Sequence, residues 1–197
     1  SEAGCSMRAT SFGAETPAGA PRYDHFDEMF RTGFLMDHDL GLSGGSDRTL
    51  FYLSGGWTDH RGTIVGPNND YNRVTARLKA SHRPRNDLEI GGNISYIDSR
   101  GGFTQKGSNA SGLMLGALRS PPDFDNRQYL DSTGQHRSYR NPRPLSITDG
   151  RGYDNPFFVV NRGVNTQDLN RAVGNIDLHY TPAEWLDFRY TLGGDYY

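Results

Sequence analysis

The stretch Tyr71–Ile97, YNRVTARLKASHRPRNDLEIGGNISYI, decides the fold. Its first half sets Val74, Ala76, Leu78 and Ala80 on one side and Arg73, Thr75, Arg77 and Lys79 on the other. Its second half separates Leu88, Ile90, Gly92, Ile94 and Tyr96 from Asp87, Glu89, Gly91, Asn93 and Ser95. A period of two is the mark of a strand with one apolar and one polar face. Between the halves, RPRN at 83–86 carries the Pro and Asn of a tight turn, so the stretch predicts a hairpin.

The same pattern recurs on both sides. In LFYLSGGWTD, residues 50–59, Phe51, Leu53, Gly55 and Trp57 oppose Tyr52, Ser54, Gly56 and Thr58. In the closing segment 173–197, Gly174, Ile176, Leu178 and Tyr180 oppose Asn175, Asp177 and His179, and after TPAE, Leu186, Phe188, Tyr190 and Leu192 oppose Asp187, Arg189 and Thr191. With HDLGLSG at 38–44, about six strands are expected. Short turns at GGSD (44–47), RPRN and TPAE (181–184) alternate with a medium loop near 60–70 and a long one over about 99–170. Such alternation is the habit of outer-membrane barrels, with short periplasmic turns and long extracellular loops. Each run is roughly ten residues, which at about 3.3 Å per residue and a tilt near 45° rises about 23 Å, close to an apolar band of about 25 Å. Aromatics gather near the run ends, at Trp57, Tyr71, Tyr96, Tyr180, Trp185, Tyr196 and Tyr197, where amphipathic rings meet a membrane interface. A soluble β-sandwich alternates equally well, and pattern alone leaves both architectures open.

Composition narrows the function classes. Of 197 residues, 34% are hydrophobic, 12% aromatic and 25 are glycine, a turn-rich mixture that favours β structure over helix. Lys and Arg number 21 against 23 Asp and Glu, with no basic block, which argues against a nucleic-acid partner. A mean hydropathy of −0.74 and the lack of a long apolar run exclude a transmembrane helix but not a transmembrane barrel. Cys5 has no intrachain disulfide partner and reads as incidental.

Candidate chemistry is sparse. Asp24, His25, Asp27 and Glu28 mix metal-ligand types without a ligand spacing and read as a solvated segment before the first strand. Asp123, Asp125 and Asn126 lack the Gly and distal Glu of a calcium loop and read as a turn. No nucleophile stands in a catalytic motif, so neither an enzyme nor a cofactor is expected.

The segments FRTGFLMDHDLGLSGGSDRTLFYLSGGWTDHRGTI (30–64), YNRVTARL (71–78), LEIGGNISY (88–96), ALRSPPDFD (117–125) and the run 155–197 together resemble the early barrel of SusC/RagA-family TonB-linked outer-membrane transporters. The resemblance covers about 23–197; residues 1–22 lie outside it and are expected to be an unmatched, disordered segment. It implies a large barrel of about 22 strands around a plug, localisation in the bacterial outer membrane, and a SusD-like surface lipoprotein as partner. It further implies uptake of oligosaccharides or peptides with energy relayed by TonB. The chain is then expected to be an all-β, antiparallel transmembrane barrel fragment, with plug, TonB-contacting segment, signal peptide and later strands missing. A soluble β-rich carbohydrate-binding module or a surface adhesin is the alternative.

Under the barrel reading, Arg73, Arg77 and Lys79 form a lumen-side basic ladder, expected to pair with acids of the plug or of neighbouring strands such as Asp87 and Glu89, or to meet substrate. In the long loop, SNASGLMLGALRSPPDFD predicts a short apolar helix ended by Pro121 and Pro122. Leu113, Leu115 and Leu118 are expected to pack that loop down, while Phe103, Phe124 and Tyr129 offer rings for stacking on sugars. Trp57, Tyr96, Tyr180, Trp185 and Tyr196 are the expected membrane-interface aromatics, in contact with outer-membrane lipid.

Overall fold

The computed structural model describes residues 17–108, 110–139 and 152–197. Cys5 and most of the N-terminal segment 1–22 lie outside the described residues. Six strands form one antiparallel sheet in chain order: β1 (Phe34–Gly45), β2 (Thr49–Arg61), β3 (Asp70–Arg85), β4 (Leu88–Gly102), β5 (Thr166–Ala183) and β6 (Leu186–Tyr196). Every strand pairs with its sequence neighbour, so β1 and β6 are the two edges.

Register makes the alternation of each strand coherent across the sheet. Leu42 lies opposite Leu53, Leu53 opposite Leu78, Leu78 opposite Ile94 and Ile94 opposite Gly174, one apolar row across five strands. Because a one-residue slip would move a whole strand's apolar set to the other side, matching rows pin the register. The resulting apolar face has no protein against it: Leu42, Leu53, Leu78, Ile94, Ile176 and Leu192 are all exposed.

The turns between β1 and β2 (46–48), β3 and β4 (86–87) and β5 and β6 (184–185) lie at one end of the sheet. They are tighter than RPRN and TPAE suggest, because the ladder continues to Arg85 and Ala183 after register shifts at His82/Arg85 and Tyr180/Ala183. The long connection likewise runs over 103–165, since Ser99–Gly102 and Thr166–Asn170 continue the β4–β5 ladder.

The buried core sits at the other end. Met29, Ile64, Leu113, Ala117 and Val160 form it, with Val65 and Phe157 against it. These residues come from α1 (His25–Met29), the β2–β3 loop, α2 (Leu113–Arg119) and α3 (Pro156–Arg162). All four segments adjoin the ends of β1, β2 and β4 opposite the tight turns, so the core is a cap on the sheet rather than a filling beneath it.

Local chemistry explains each piece of the cap. Asp24 caps α1, its Oδ1 accepting from Phe26 and Asp27 N–H at 3.0 Å each. The following residues pair with the β2–β3 loop: Phe30 bridges Ile64, and Val65 N–H donates to Met29 O at 3.0 Å. Gly66 takes φ +102° beside Val160, where a Cβ would lie 2.9 Å from the Val160 Cβ, so glycine is needed on both counts. α2 ends at Ser120 ahead of Pro121 and Pro122, as its sequence predicts. Leu113 is fully buried and Leu115 half-buried, but Leu118 points out, 62% exposed.

The segment Asp24–Glu28 is only in part the solvated stretch expected: Asp24 and Asp27 are exposed, but His25 and Glu28 are not. His25 is buried, its Nε2 hydrogen-bonding Pro121 O at 2.9 Å and its Nδ1 lying 3.1 Å from the Asn126 amide. Arg127 donates to Glu28 Oε1 at 2.6 Å. His25 and Glu28 thus dock α1 onto the α2 exit, and Asn126, expected in an open turn, is buried beside His25.

α3 depends on Asn155, which is 0% exposed. Its Oδ1 caps Phe157 N–H at 2.8 Å, its Nδ2 donates to Arg137 O at 3.0 Å, and its own N–H donates to His136 Nε2 at 3.0 Å. His136 stacks on Phe158 with ring centroids 3.9 Å apart. Burial pushes the His136 pKa down, partly offset by the Asp154 carboxylate. Folding therefore favours the neutral ring, the form whose Nε2 can accept from Asn155 N–H. The stabilisation is complete above the ordinary histidine value of about 6.5 and is lost as pH falls through the lowered folded value. Amide exchange over 156–162, corrected for intrinsic rates, is expected to accelerate between pH 7 and pH 5. His136→Gln, which keeps an acceptor but does not titrate, should abolish that pH dependence.

Candidate functional site

The polar face of the sheet is the candidate site, because the same register that builds the apolar rows gathers the polar side chains opposite them. Its right half, on β4–β6, is internally paired. Arg171 Nε donates to Asp195 Oδ1 at 2.9 Å, and Thr191 Oγ1 to Asp177 Oδ1 at 2.8 Å. Asn93 donates to Asn175 and Asn175 in turn to Asp177. Asp187 holds His179 at 2.7 Å and Arg189 at 3.0 Å.

The left half, on β1–β3, is different. Arg73, Arg77 and Lys79 all lie on this face, and none has an ion-pair partner among the described residues. The pairing expected with Asp87 and Glu89 does not form. Arg85 takes Asp87 at 3.3 Å and Arg83 takes Glu89 at 2.9 Å, because the register shift after His82 brings the turn-end arginines to those carboxylates. Of the two β1 acids on this face, one is hydrogen-bonded and the other leans toward β3 without an ion-pair partner among the described residues. Asp37 accepts from Thr58 Oγ1 at 2.8 Å, and Asp39 leans over Gly56, where a Cβ would lie 2.6 Å from its Oδ1.

Cross-strand neighbours frame each cation with small or neutral polar groups. Arg73 lies between Thr58 and Ser99, Arg77 between Ser54 and Ser95, and Lys79 between Tyr52 and Asn93. Arg77 and Lys79, two residues apart, are about 7 Å from each other along the strand, and Arg73 is about 13 Å above Arg77.

Of the three loop aromatics, Phe103 alone adjoins this face. It follows β4, is 43% exposed, and its ring and that of Tyr71 both close on Gly101, where a Cβ would lie 3.0 Å from each. Phe103 also lines a cleft of about 380 Å³ with Asp154, Phe158 and Arg162. Phe124 is covered instead by the Arg137 guanidinium, 4.2 Å from its centroid, and by the edge of Tyr139. Tyr129 packs edge-on to Phe158. Sequence reading grouped Tyr71 with the interface aromatics, but its pairing with Gly101 and His60 puts it on the polar face with Arg73. The hydroxyl frame around the cations was missed; shared parity with Arg77 was its only sequence signal, and pairing partners need the register.

The remaining aromatics border the apolar face in two groups. Toward the cap, Trp57 stacks on His38 at 5.8 Å, while Tyr96 and Tyr196 flank Ala172 in one row. Toward the turns, Tyr180 lies under Arg85 at 5.7 Å and Trp185 projects from the β5–β6 turn, 84% exposed. Among the described residues, no helix is long and apolar enough to cross a membrane, and no cluster of His, Cys, Asp and Glu could hold a metal.

No protein-family profile matches the chain. It is similar to the TonB-dependent receptor SusC of Bacteroides thetaiotaomicron, 24% identical over 197 residues that cover 94% of this chain and 19% of that protein. It is also similar to the TonB-dependent receptor P3 of Formosa agariphila, 24% identical over 179 residues, covering 89% of this chain and 17% of that one. The chain therefore spans about a fifth of the length of these relatives. Its fold matches part of the RagAB peptide transporter with a TM-score of 0.63 and 22% identity, covering 88% of this chain and 19% of that one. The RagAB peptide importer in its closed-closed state gives 0.62 and 21% over the same shares. The open six-stranded sheet, capped at one end and turned tightly at the other, thus shares its fold with part of the RagAB transporter and is similar in sequence to a part of two TonB-dependent receptors.

Proposed function

We propose that this chain is a stretch of barrel wall in an outer-membrane importer that draws on TonB for energy, works with a SusD-like surface lipoprotein and takes up oligosaccharides or peptides. The observation that carries the reading is the uncovered apolar face, continuous from Leu42 to Leu192 and bordered by Trp57, Tyr96 and Tyr196 at one end and Tyr180 and Trp185 at the other. From the row of Tyr96 to that of Leu88 is eight residues, about 26 Å along the strand and about 20 Å in height at a tilt near 40°, the scale of the apolar band of an outer-membrane barrel. In water such a face is an aggregation hazard; in lipid it is the required surface. An open sheet would leave the β1 and β6 edges unpaired at a cost of several kcal/mol per group in lipid, so the wall functions only within a closed barrel.

The names of the relatives support the transport part of the reading, RagAB being a peptide importer and SusC a TonB-dependent receptor. The full-length gene product is expected in the outer-membrane fraction, with substrate accumulation abolished when TonB is deleted. A soluble periplasmic product would sink the proposal, and accumulation or surface adhesion indifferent to TonB would favour an adhesin or binding module.

The two faces are separately testable. In the full-length protein reconstituted in liposomes, Leu78→Arg on the apolar face is expected to cost about 2–4 kcal/mol of unfolding free energy, whereas Ser43→Arg on the polar face should cost no more than about 1. Denaturant unfolding followed by tryptophan fluorescence measures both. Equal costs would show that the faces are wrongly assigned.

A further inference from the structure

We infer that Arg73, Arg77 and Lys79 form a track for an acidic oligosaccharide, entered past Phe103 and Tyr71; this deepens the importer reading and rests on it. The first observation is electrostatic. Every described acid on the polar face of β4–β6 is engaged by a neighbour, and the turn acids Asp87 and Glu89 are held by Arg85 and Arg83. The three β3 cations have no ion-pair partner among the described residues, and Asp39 of β1, on the same face, leans over Gly56 toward Thr75 without pairing with any of them. Under the importer reading these cations face the inside of the barrel, where a plug acid or an acidic ligand would meet their charge.

The second observation concerns what stands beside them. Each cation is framed by side chains too short or too neutral to satisfy it: Thr58 and Ser99, Ser54 and Ser95, Tyr52 and Asn93. Hydroxyls and a carboxamide both donate and accept, which suits the hydroxyl-studded edge of a sugar, while guanidinium and ammonium groups take its carboxylate or sulfate. At the capped end, Phe103 and Tyr71 close over Gly101 directly above Arg73, an aromatic surface of the kind on which a sugar ring's C–H face rests. An acidic peptide fits less well. Extended peptides gain affinity by adding to a free strand edge, and this face presents only side chains, its backbone groups being consumed by the six-stranded ladder.

The test uses the full-length gene product purified in detergent and titrated calorimetrically with hexagalacturonate, a sulfated carrageenan hexasaccharide, maltohexaose and hexaglutamate. At least one of the two acidic sugars is expected to bind, more weakly as salt is added, and to be preferred over maltohexaose and hexaglutamate by tenfold or more. Arg77→Gln with Lys79→Gln should weaken that binding about tenfold or more, and Phe103→Leu should weaken it as well. Arg77→Lys with Lys79→Arg, which keeps both charges, should retain binding and thereby exclude misfolding as the cause. The inference is overturned if neither acidic sugar binds, if the charge-neutral pair binds as wild type, or if hexaglutamate is preferred, which would assign the track to acidic peptides. Energised uptake confined to neutral cargo would overturn this inference and leave the importer reading standing, whereas absence from the outer membrane would overturn the importer reading first.

Discussion

A backbone N–H or C=O that loses water must find another partner, and here each strand finds it in its sequence neighbour. That requirement ties six strands into one ladder, and the ladder's register then decides everything on its two faces. Because Leu53, Leu78 and Ile94 fall opposite one another, so do Ser54, Arg77 and Ser95 one step away. The apolar surface and the basic track are the same pairing seen from two sides. Neither could shift without the other.

The core obeys a different logic. A single sheet with an apolar face and a polar face, neither packed against a second layer among the described residues, has no interior of its own, and the compact packing moves to the end where the long connections meet. There Met29, Leu113 and Val160 are sealed by short helices whose termini are closed by Asp24, Ser120 and Asn155. Helices of five to seven residues are too short to stand alone, so their stability comes from this mutual burial. The cap also positions Phe103, since its N–H donates to Asn165 O where the connection returns to β5.

The strands were legible because alternation is a local property, written into every ten-residue run. The side each residue takes followed directly, and Tyr71 could have been placed correctly from its parity with Arg73. What stayed hidden depended on distant partners. His25 and Glu28 look like loose polar residues until Pro121, Asn126 and Arg127 arrive beside them. Asp87 and Glu89 looked available to the ladder because nothing local announces the register shift that gives them to Arg85 and Arg83. Phe103 and Phe124 look equivalent in sequence; the Arg137 guanidinium and the Tyr139 edge over Phe124, and the place of Phe103 beside Gly101, set the two apart.

The docking of α1 onto the α2 exit joins residues that lie 96 to 101 positions apart. Hairpins close over a few residues and form on a microsecond scale, while contacts across a hundred residues must wait for everything between them. The order of assembly is thereby written into the topology. By those timescales the hairpins are expected to close first, β4 and β5 to meet across the long connection next, and the N-terminal helix to lock down last. Until α1 docks, Met29 and Val160 stay uncovered together with the bare apolar face, so the closing of the cap is the step that removes the last buried-core surface from water.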